Sequence, residues 1–207
     1  DIYGKIAAKL AGVKSIISTE QNVLINDNKV IKFLKKRTAD FSNKIIAISS
    51  AVKRDIIKTY QVSSEKINLI FNGINVEKFE QDRKKDFNKG QIIFGSIGRL
   101  TSQKNYSILI EALSKMKNKN FKCLIAGEGE LHEKLEREIK RYKLSEQVEL
   151  LGLTKDIKGF LSKLDFFVLP SKWEGLGVVL LEAGLSRLPI LASATGGILD
   201  IIKDKKT

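Results

Sequence analysis

The amino-acid sequence predicts an α/β fold in which parallel strands alternate with helices. Three observations predict this fold. From residue 92 onward, short apolar runs alternate with stretches whose apolar residues have helical spacing. The runs are apolar throughout rather than at every second position, as is typical of strands buried on both faces. Glycine recurs in the loops after the runs, and such regular alternation favours a parallel, doubly wound sheet.

The second half of the chain carries the clearest alternation. Its predicted strands are IIFGSIG (92–98), FKCLIAG (121–127), VELLG (148–152), DFFVLP (165–170) and PILAS (189–193). Its predicted helices are NYSILIEALSKMK (105–117), ELHEKLEREIKRYKL (130–144), KDIKGFLSKL (155–164), GVVLLEAGLSR (177–187) and ILDIIKD (198–204). Each strand is followed by a helix, as a parallel sheet with crossover connections requires.

The first part of the chain has a looser version of the same pattern. Its predicted strands are VKSIIST (13–19), KIIAIS (44–49) and KINLIFNGI (66–74), the last ending in an Asn72-Gly73 turn. Its predicted helices are IYGKIAAKLAG (2–12), KVIKFLKKR (29–37) and SAVKRDIIKTYQ (50–61). Either Ser49 or Ser50 is expected to cap the last of these helices.

The domain organisation follows from these patterns and from a polar stretch between them. We expect a partial domain over residues 1–75, a linker over 76–91 and a second domain over 92–207. The first segment is short for a complete domain of this class, so its opening strands are expected to be missing. The second segment is expected to be truncated at its end.

Composition limits the classes of function. The net charge of +13 comes mostly from scattered lysines, and no RNA-binding signature accompanies it, so nucleic acid is not expected as a partner. The basic run 29–37 has interleaved apolar residues and suits either an anionic membrane surface or a solvated helix face. A lone cysteine, Cys123, is expected to be buried in the core and fits a reducing, cytoplasmic location.

One candidate binding loop follows the first strand of the second half. Ligands of open parallel sheets bind beyond the carboxyl ends of the strands. The loop GRLTSQK (98–104) places Arg99 at a strand end and Lys104 just before a helix. Two such cations suit a pyrophosphate, because arginine offers a fork of donors and lysine a mobile point charge. Surface lysines are common in this chain, so two solvated cations are the alternative interpretation.

A second candidate is SKWEGLGVVLLEA (171–183), which contains Glu174 and Glu182. Gly175 and Gly177 indicate that Glu174 lies on a loop, whereas Glu182 lies within the following helix. A carboxylate at that helical position can accept hydrogen bonds from ribose hydroxyls, and Glu174 could face a reacting sugar. The alternative interpretation is an ordinary loop glutamate followed by an ordinary helix glutamate.

A metal site is not predicted. No two aspartates are separated by a single residue, and histidine and cysteine form no cluster. The only histidine, His132, lies in a charged helix and is expected to be exposed. The charge of any bound phosphate is therefore expected to be met by arginine, lysine and backbone amides.

Taken together, these motifs resemble the family 4 glycosyltransferases, a retaining group that uses nucleotide-sugar donors and has the GT-B fold. The matching stretches of the second half are GSIGRLTSQKN, LIAGEGE, VELLG, FFVLPSKWEGLGVVLLEA and LPILASATGGILDII. The first part is similar to the end of the family's N-terminal lobe through GVKSIISTE, KIIAISSAVKRDII and KINLIFNGIN. The resemblance implies two Rossmann-like lobes with parallel sheets, the N-terminal lobe being incomplete.

The resemblance also implies roles for individual residues. Arg99 and Lys104 match the pair that holds the donor pyrophosphate. Glu174 and Glu182 match the family's E-x7-E motif, in which the first glutamate faces the donor sugar and the second the ribose. The other residues implied to line the donor pocket are Gly98, Gly127, Glu128, Gly175, Leu176, Gly177 and Val178. The loop GLTKDI (152–157) is implied to lie near the base.

The chemistry implied by the resemblance is transfer of a hexose from a UDP- or GDP-linked donor to a glycan or lipid-linked acceptor. Configuration is retained, and the active site uses neither a metal nor another cofactor. The enzyme stabilises the departing diphosphate while the sugar passes through an oxocarbenium-like state. Such a protein would build a bacterial surface polysaccharide at the inner face of the membrane. Gln21 stands where the family often has a histidine, which leaves the acceptor side open.

Three alternatives remain open at this point. Another GT-B-like enzyme, such as a nucleotide-sugar epimerase, would need no acceptor. A non-catalytic sugar-nucleotide-binding module would bind the donor without turning it over, and a chain lacking part of one lobe can itself be inactive. Basic binding to membrane or nucleic acid as the main activity would give steep salt dependence without nucleotide preference.

Overall fold

The computed structural model describes residues 2–23, 28–79 and 90–203, which form two compact units. The first unit comprises Asp1–Gly73, Glu174–Gly177 and Gly196–Thr207. The second unit comprises Ile74–Trp173 and Val178–Thr195. Two short segments from late in the sequence therefore group with the first part of the chain.

The first unit contains a sheet of three parallel strands, in the order β1-β2-β3. The strands are β1 (Ile17–Glu20), β2 (Lys44–Ala47) and β3 (Ile67–Leu69). Helices α1 (Ile2–Leu10), α2 (Lys29–Ala39) and α3 (Ser50–Tyr60) alternate with these strands. The predicted strand–helix alternation of residues 1–75 is thus present.

Local side chains explain where α3 begins and ends. The hydroxyl of Ser49 accepts a hydrogen bond from the backbone N–H of Val52 at 3.1 Å, so Ser49 rather than Ser50 is the cap. The carboxylate of Asp200, from the late segment of this unit, accepts a second bond from the N–H of Ser50 at 2.7 Å. The helix ends at Tyr60, and the next residue, Gln61, caps it with a left-handed φ of 55°.

The three predicted strands of the first unit are longer than the observed ones. Strand β2 ends at Ala47 rather than at residue 49. Strand β1 begins at Ile17 rather than at residue 13. Strand β3 ends at Leu69, and no turn forms at Asn72-Gly73, so that prediction was wrong. The reason lies in the partner strand, because β2 ends at Ala47 opposite Leu69 and gives the next residues of β3 little to pair with.

The second unit contains a five-stranded parallel sheet, in the order β6-β5-β4-β7-β8. Its strands are β4 (Ile92–Ile97), β5 (Phe121–Ala126), β6 (Val148–Gly152), β7 (Phe166–Leu169) and β8 (Ile190–Ala192). The helices that follow β3 along the chain are α4 (Val76–Phe79), α5 (Tyr106–Ser114), α6 (His132–Arg141), α7 (Ile157–Lys163), α8 (Val178–Leu185) and α9 (Ile198–Ile201). The last of these, α9, belongs to the first unit.

This strand order has a functional consequence. The chain runs outward from β4 to β6 on one side and then returns to add β7 and β8 on the other. The order therefore reverses between β4 and β7, and open sheets of this kind bind ligands in the crevice at such a switch point. The predicted α/β fold with parallel sheets is confirmed.

The polar stretch predicted as a linker is described only in part. Its first residues, Val76–Phe79, form the short helix α4, and Phe79 is buried. Residues 80–89 lie outside the described residues, and the predicted domain boundaries stay a prediction.

The core of the second unit lies between the sheet and helices α5 and α6. It is built from buried side chains of these elements and the turns beside them: Leu100, Tyr106, Leu109, Ile110, Leu113, Phe121, Cys123, Ile125, Leu135, Ile139, Leu144, Val148 and Val168. Cys123 is fully buried, as predicted, and burial raises the pKa of its thiol to about 12. The thiol therefore remains protonated and unreactive at neutral pH.

No helix among residues 2–23, 28–79 and 90–203 is long and apolar enough to cross a lipid bilayer.

Candidate functional site

The loops that follow β4, β5 and β6 are joined at the carboxyl edge of the second sheet. The backbone N–H of Leu100 donates to the carbonyl of Glu128 at 2.8 Å. The N–H of Gly127 donates to the carbonyl of Gly152 at 2.7 Å. The predicted residues Gly127 and Glu128 therefore lie at the same edge as the loop 98–104.

Two predicted glycines, Gly98 and Gly127, are in direct backbone contact. A Cβ atom added to Gly127 would lie 2.0 Å from the carbonyl oxygen of Gly98. The φ of Gly127 is +143°, a value that L-residues with a side chain rarely adopt. Only glycine fits here, so the loops after β4 and β5 approach each other more closely than side chains would permit.

Lys104 extends over the start of the same loop. Its Cε atom lies 2.9 Å from the position that a Cβ on Gly98 would occupy, so the lysine stem packs on this glycine. Lys104 is half-buried, whereas Arg99 is exposed. A tight turn joins the two cations, since the N–H of Thr101 donates to the carbonyl of Arg99 and the N–H of Lys104 donates to that of Thr101. Both cations thus belong to one loop at the switch-point edge.

Gln103 is a residue of this site that sequence reasoning missed. The side-chain amide of Gln103 donates to the backbone carbonyl of Trp173 at 3.1 Å. The backbone carbonyl of Gln103 accepts from the N–H of Lys172 at 2.8 Å. The hydroxyl of Thr195 donates to the carbonyl of Lys172 at 3.0 Å. Gln103 thereby joins the loops after β4 and β7 across the switch point. Its neighbours in GRLTSQK are also polar, so no sequence signal distinguished it.

Glu182 lies within α8, as predicted, and is half-buried. Burial raises the pKa of its carboxyl above the ordinary value, and the positive charge of Lys78 opposes part of that shift. Helix α8 begins at Val178 and packs against α4, which carries Lys78. The ribose role of Glu182 and the pocket role of Val178 stay predictions.

Glu174 belongs to the first unit and lies on a loop, as predicted. It is 5% exposed, and its carbonyl accepts a hydrogen bond from the N–H of Gly197 at 3.1 Å. A Cβ on Gly175 would lie 2.1 Å from the carbonyl of Gln21, the residue directly after β1. A Cβ on Gly197 would lie 2.0 Å from the carbonyl of Gly175. Three chain segments are therefore in backbone contact around Glu174.

The two residues before α8 complete this loop. Leu176 is buried, and Gly177 has a φ of 84°, in the left-handed region that favours glycine. The helix begins directly after this residue, which is why Glu174 stays on the loop.

The residues available to bind a ligand are cations, carboxylates and backbone groups. Over the described residues, no three histidine, cysteine, aspartate or glutamate side chains come together to hold a metal ion. His132, expected to be exposed, is half-buried because it opens α6 next to Leu131, which packs on the core. In the second unit, Arg99, Lys104 and main-chain amides are groups that can bind an anion.

Family models match nearly the whole chain. A model described as glycosyl transferases group 1 matches residues 77–207, and one described as glycosyltransferase family 4 matches residues 6–78. A UDP-Gal:alpha-D-GlcNAc-diphosphoundecaprenol alpha-1,3-galactosyltransferase of Escherichia coli is 30% identical over 223 residues, covering 99% of this chain and 58% of its own length. An N-acetylgalactosamine-N,N'-diacetylbacillosaminyl-diphospho-undecaprenol 4-alpha-N-acetylgalactosaminyltransferase of Campylobacter jejuni is 31% identical over 162 residues, covering 78% of this chain and 43% of its own length.

The chain thus spans about half the length of these curated relatives. A solved structure, HepE of Anabaena in complex with UDP-glucose, superposes with a TM-score of 0.88 at 22% identity. The match covers 98% of this chain and 59% of HepE. This likeness is one of fold, and it confirms the predicted GT-B fold class.

Proposed function

The chain belongs to the group 1 glycosyl transferases, and from this premise we propose that the protein transfers a sugar from a nucleotide-sugar donor to a lipid-linked or glycan acceptor. The E. coli and C. jejuni relatives are named for transfer to undecaprenol-diphosphate-linked sugars. A lipid-linked acceptor is accordingly the first choice. The name of the E. coli relative includes UDP-Gal, which favours a UDP-linked donor over a GDP-linked one.

The observation that carries this proposal is the set of joined loops at the switch point of the second sheet. Gln103 ties the loop after β4 to the loop after β7. The β4 loop also carries Arg99 and Lys104, the latter half-buried over Gly98. Positive groups held at the carboxyl edge of a parallel sheet suit the diphosphate of a nucleotide sugar.

The proposed mechanism uses these groups on the leaving diphosphate. As the bond between sugar and diphosphate breaks, negative charge grows on the departing phosphate oxygen. Arg99 and Lys104 are positioned by the loop before the reaction and would stabilise that charge without reorganisation. Retention of configuration, and transfer without a bound metal, are part of this proposal. We assign Glu174 to the donor sugar and Glu182 to the ribose. These two assignments rest on the family resemblance.

We further propose that the protein works at the cytoplasmic face of a membrane, in the synthesis of a surface polysaccharide. An undecaprenol-linked acceptor is held in the bilayer by its lipid, whereas a nucleotide sugar is a water-soluble donor. An enzyme that joins the two must meet the donor in water and the acceptor at the membrane surface. Peripheral attachment satisfies both conditions.

The experiment that tests the function begins with calorimetric titration of UDP, GDP and ADP into the folded chain. One diphosphate should bind with micromolar affinity. The corresponding nucleotide sugars are then supplied to the protein with an undecaprenol-diphosphate-linked sugar, and the lipid product is analysed by mass spectrometry and by the anomeric NMR coupling. Product that requires acceptor and retains configuration supports the proposal. Product formed without acceptor favours an epimerase, and binding without any product favours a binding module.

Glu182 gives a pH-dependent prediction for the same site. A glutamate accepts hydrogen bonds from ribose at full capacity only as a carboxylate, and its raised pKa means that it takes up a proton at a higher pH than an exposed glutamate does. Affinity for UDP and for uridine should therefore fall together as the pH is lowered from 7 to 5. Glu182→Gln should bind both about tenfold more weakly at pH 7, as expected for one lost bond to a charged group, with a flatter pH profile. Calorimetry at several pH values measures this.

The unliganded protein provides the control for that prediction. Because the folded pKa of Glu182 is raised, the stability linked to its proton is present at low pH and is lost as the pH rises through the folded pKa. Glu182→Gln should therefore unfold at a slightly higher temperature than the parent at pH 7 while binding ribose less well. A variant that loses both affinity and stability would indicate a structural role instead.

A further inference from the structure

Helix α2 exposes apolar side chains that a water-soluble helix normally buries. Val30 is 66% exposed and Phe33 is 56% exposed, and Ile31 and Leu34 are also exposed. The residues of α2 that are buried are Thr38 and Ala39. By helical spacing Ile31 and Leu34, which are 37% and 39% exposed, lie on the same side as the buried Thr38, whereas Val30 and Phe33 face outward.

Two other amphipathic helices, α6 and α3, do not behave in this way. Helix α6 buries Leu135 and Ile139, and its exposed residues are all charged. Helix α3 buries Val52, Ile56 and Tyr60. The exposed apolar face of α2 is therefore not shared by α3 or α6.

The charge of the outward face has one sign. Helix α2 contains five cations and no carboxylate. At about 100° per residue, Lys29, Val30, Phe33, Lys36 and Arg37 fall within a sector of roughly 120°. The guanidinium of Arg37 lies 5.2 Å from the centre of the Phe33 ring. The ammonium of Lys36 donates to the side chain of Gln61, which is a neutral partner.

We propose that this face of α2, called here the α2 face (Lys29, Val30, Phe33, Lys36 and Arg37), binds an anionic phospholipid bilayer. Apolar side chains interleaved with cations are the pattern of helices that lie in the membrane interface, where the apolar groups enter the acyl boundary and the cations contact lipid phosphates. A nucleic-acid surface would use the cations but leave Val30 and Phe33 in water. A protein groove would gain from the apolar residues but would have to accommodate the positive charges of Lys29, Lys36 and Arg37.

The neighbouring helix α1 extends the apolar part of this surface. It packs against α2 and exposes Tyr3 and Leu10 to 86% and 84%. These two residues are seven apart and lie on one side of α1, since seven residues make about two turns. Membrane binding by the α2 face is inferred from the surface of the helices. Only its biological purpose rests on the proposed function, because a lipid-linked acceptor would be reached from the bilayer surface.

The test is flotation of the full chain with vesicles in the absence of nucleotide. The chain should float with vesicles of phosphatidylglycerol and phosphatidylethanolamine, and should remain behind with phosphatidylcholine alone. Lys29→Gln/Lys36→Gln/Arg37→Gln should weaken binding by about fivefold per cation removed, an effect that shrinks at high salt. Val30→Ser/Phe33→Ser should weaken binding by about tenfold or more at every salt concentration, because the apolar contribution is not screened.

Matched variants elsewhere separate the α2 face from net charge and from hydrophobicity in general. Lys140→Gln/Arg141→Gln/Lys143→Gln removes three exposed cations at the end of α6. Ile108→Ser removes an exposed apolar side chain from α5. Both control variants should bind anionic vesicles with an affinity within about twofold of the parent's, because remote charges and isolated surface residues contribute little. Circular dichroism and thermal unfolding verify that every variant is folded.

Several results would overturn the inference. A folded parent chain that does not float with anionic vesicles, or a control triple variant that loses as much binding as the α2 triple variant, contradicts it. A dimer that dissociates in Val30→Ser/Phe33→Ser would assign the α2 face to a contact between copies. Binding to RNA that is lost in the α2 triple variant, without vesicle binding, would assign it to nucleic acid. Calorimetry of UDP should be unchanged in the α2 variants, so failure here and failure of the proposed function are distinguishable.

Discussion

Replacing Arg99 and Lys104 together with alanine should weaken the binding of UDP by about a hundredfold or more while uridine binds as before. The two cations belong to one loop at the switch-point edge of the second sheet, and Lys104 is held over Gly98. Each hydrogen bond to a charged group is worth about 1.5–3 kcal/mol, so two lost contacts to the diphosphate remove about 3 kcal/mol. Uridine has no phosphate and loses neither contact. Parallel calorimetric titrations of UDP and uridine measure the difference.

A double variant with the same loss of charge controls for long-range electrostatics. Lys140→Ala/Arg141→Ala removes an exposed lysine and an exposed arginine from α6. It should leave both affinities within about twofold, because exposed charges beyond a screening length contribute little. If Arg99→Ala/Lys104→Ala changed neither affinity, or lowered both equally, the assignment of these residues to the pyrophosphate would be wrong.

Gly127→Ala should lower the free energy of unfolding by about 3 kcal/mol or more. The added Cβ would lie 2.0 Å from the carbonyl oxygen of Gly98, and the φ of +143° is itself strained for alanine. Each of these effects typically costs about 1–3 kcal/mol, and neither is relieved unless the backbone moves. Chemical denaturation followed by circular dichroism measures the loss. If the backbone moves to make room for the added Cβ, Gly98 shifts, and Lys104, which packs on Gly98, shifts with it. UDP affinity should therefore fall as well.

Gly184→Ala is the matched control for that prediction. Gly184 lies within α8, and no atom lies within 4 Å of the position of an added Cβ. The same substitution should therefore raise stability by about 0.5–1 kcal/mol, because alanine favours a helix over glycine. Equal effects of the two substitutions would mean that the close approach of the loops after β4 and β5 is not a constraint.

Much of the second unit was predictable because its signals are local. The run FKCLIAG and the helix ELHEKLEREIKRYKL both appear close to their predicted positions, as β5 and α6. Apolar periodicity and the spacing of glycine are properties of neighbouring residues, and these decide which element forms. The loop position of Glu174 and the helical position of Glu182 were predictable for the same reason, since Gly175 and Gly177 lie between them.

Element ends in the first unit were less predictable because they depend on a partner. Strand β3 stops at Leu69 although the apolar run continues to Phe71, since its neighbour β2 ends opposite Leu69. The extent of a strand is set by hydrogen bonds to another segment, and no local pattern reports where that segment ends.

By itself, the sequence determined the α/β class, the order of strands and helices, and the candidate residues Arg99, Lys104, Glu174 and Glu182. Only the tertiary structure decided which loops meet. Three contacts join residues that are far apart in the chain. They are the hydrogen bond from Gln103 to Trp173, the contact of Gly127 with Gly98 and the contact of Gly175 with Gln21. It also decided that Phe33 faces outward, because the spacing of apolar residues shows that a helix has two faces but not which face the rest of the fold covers.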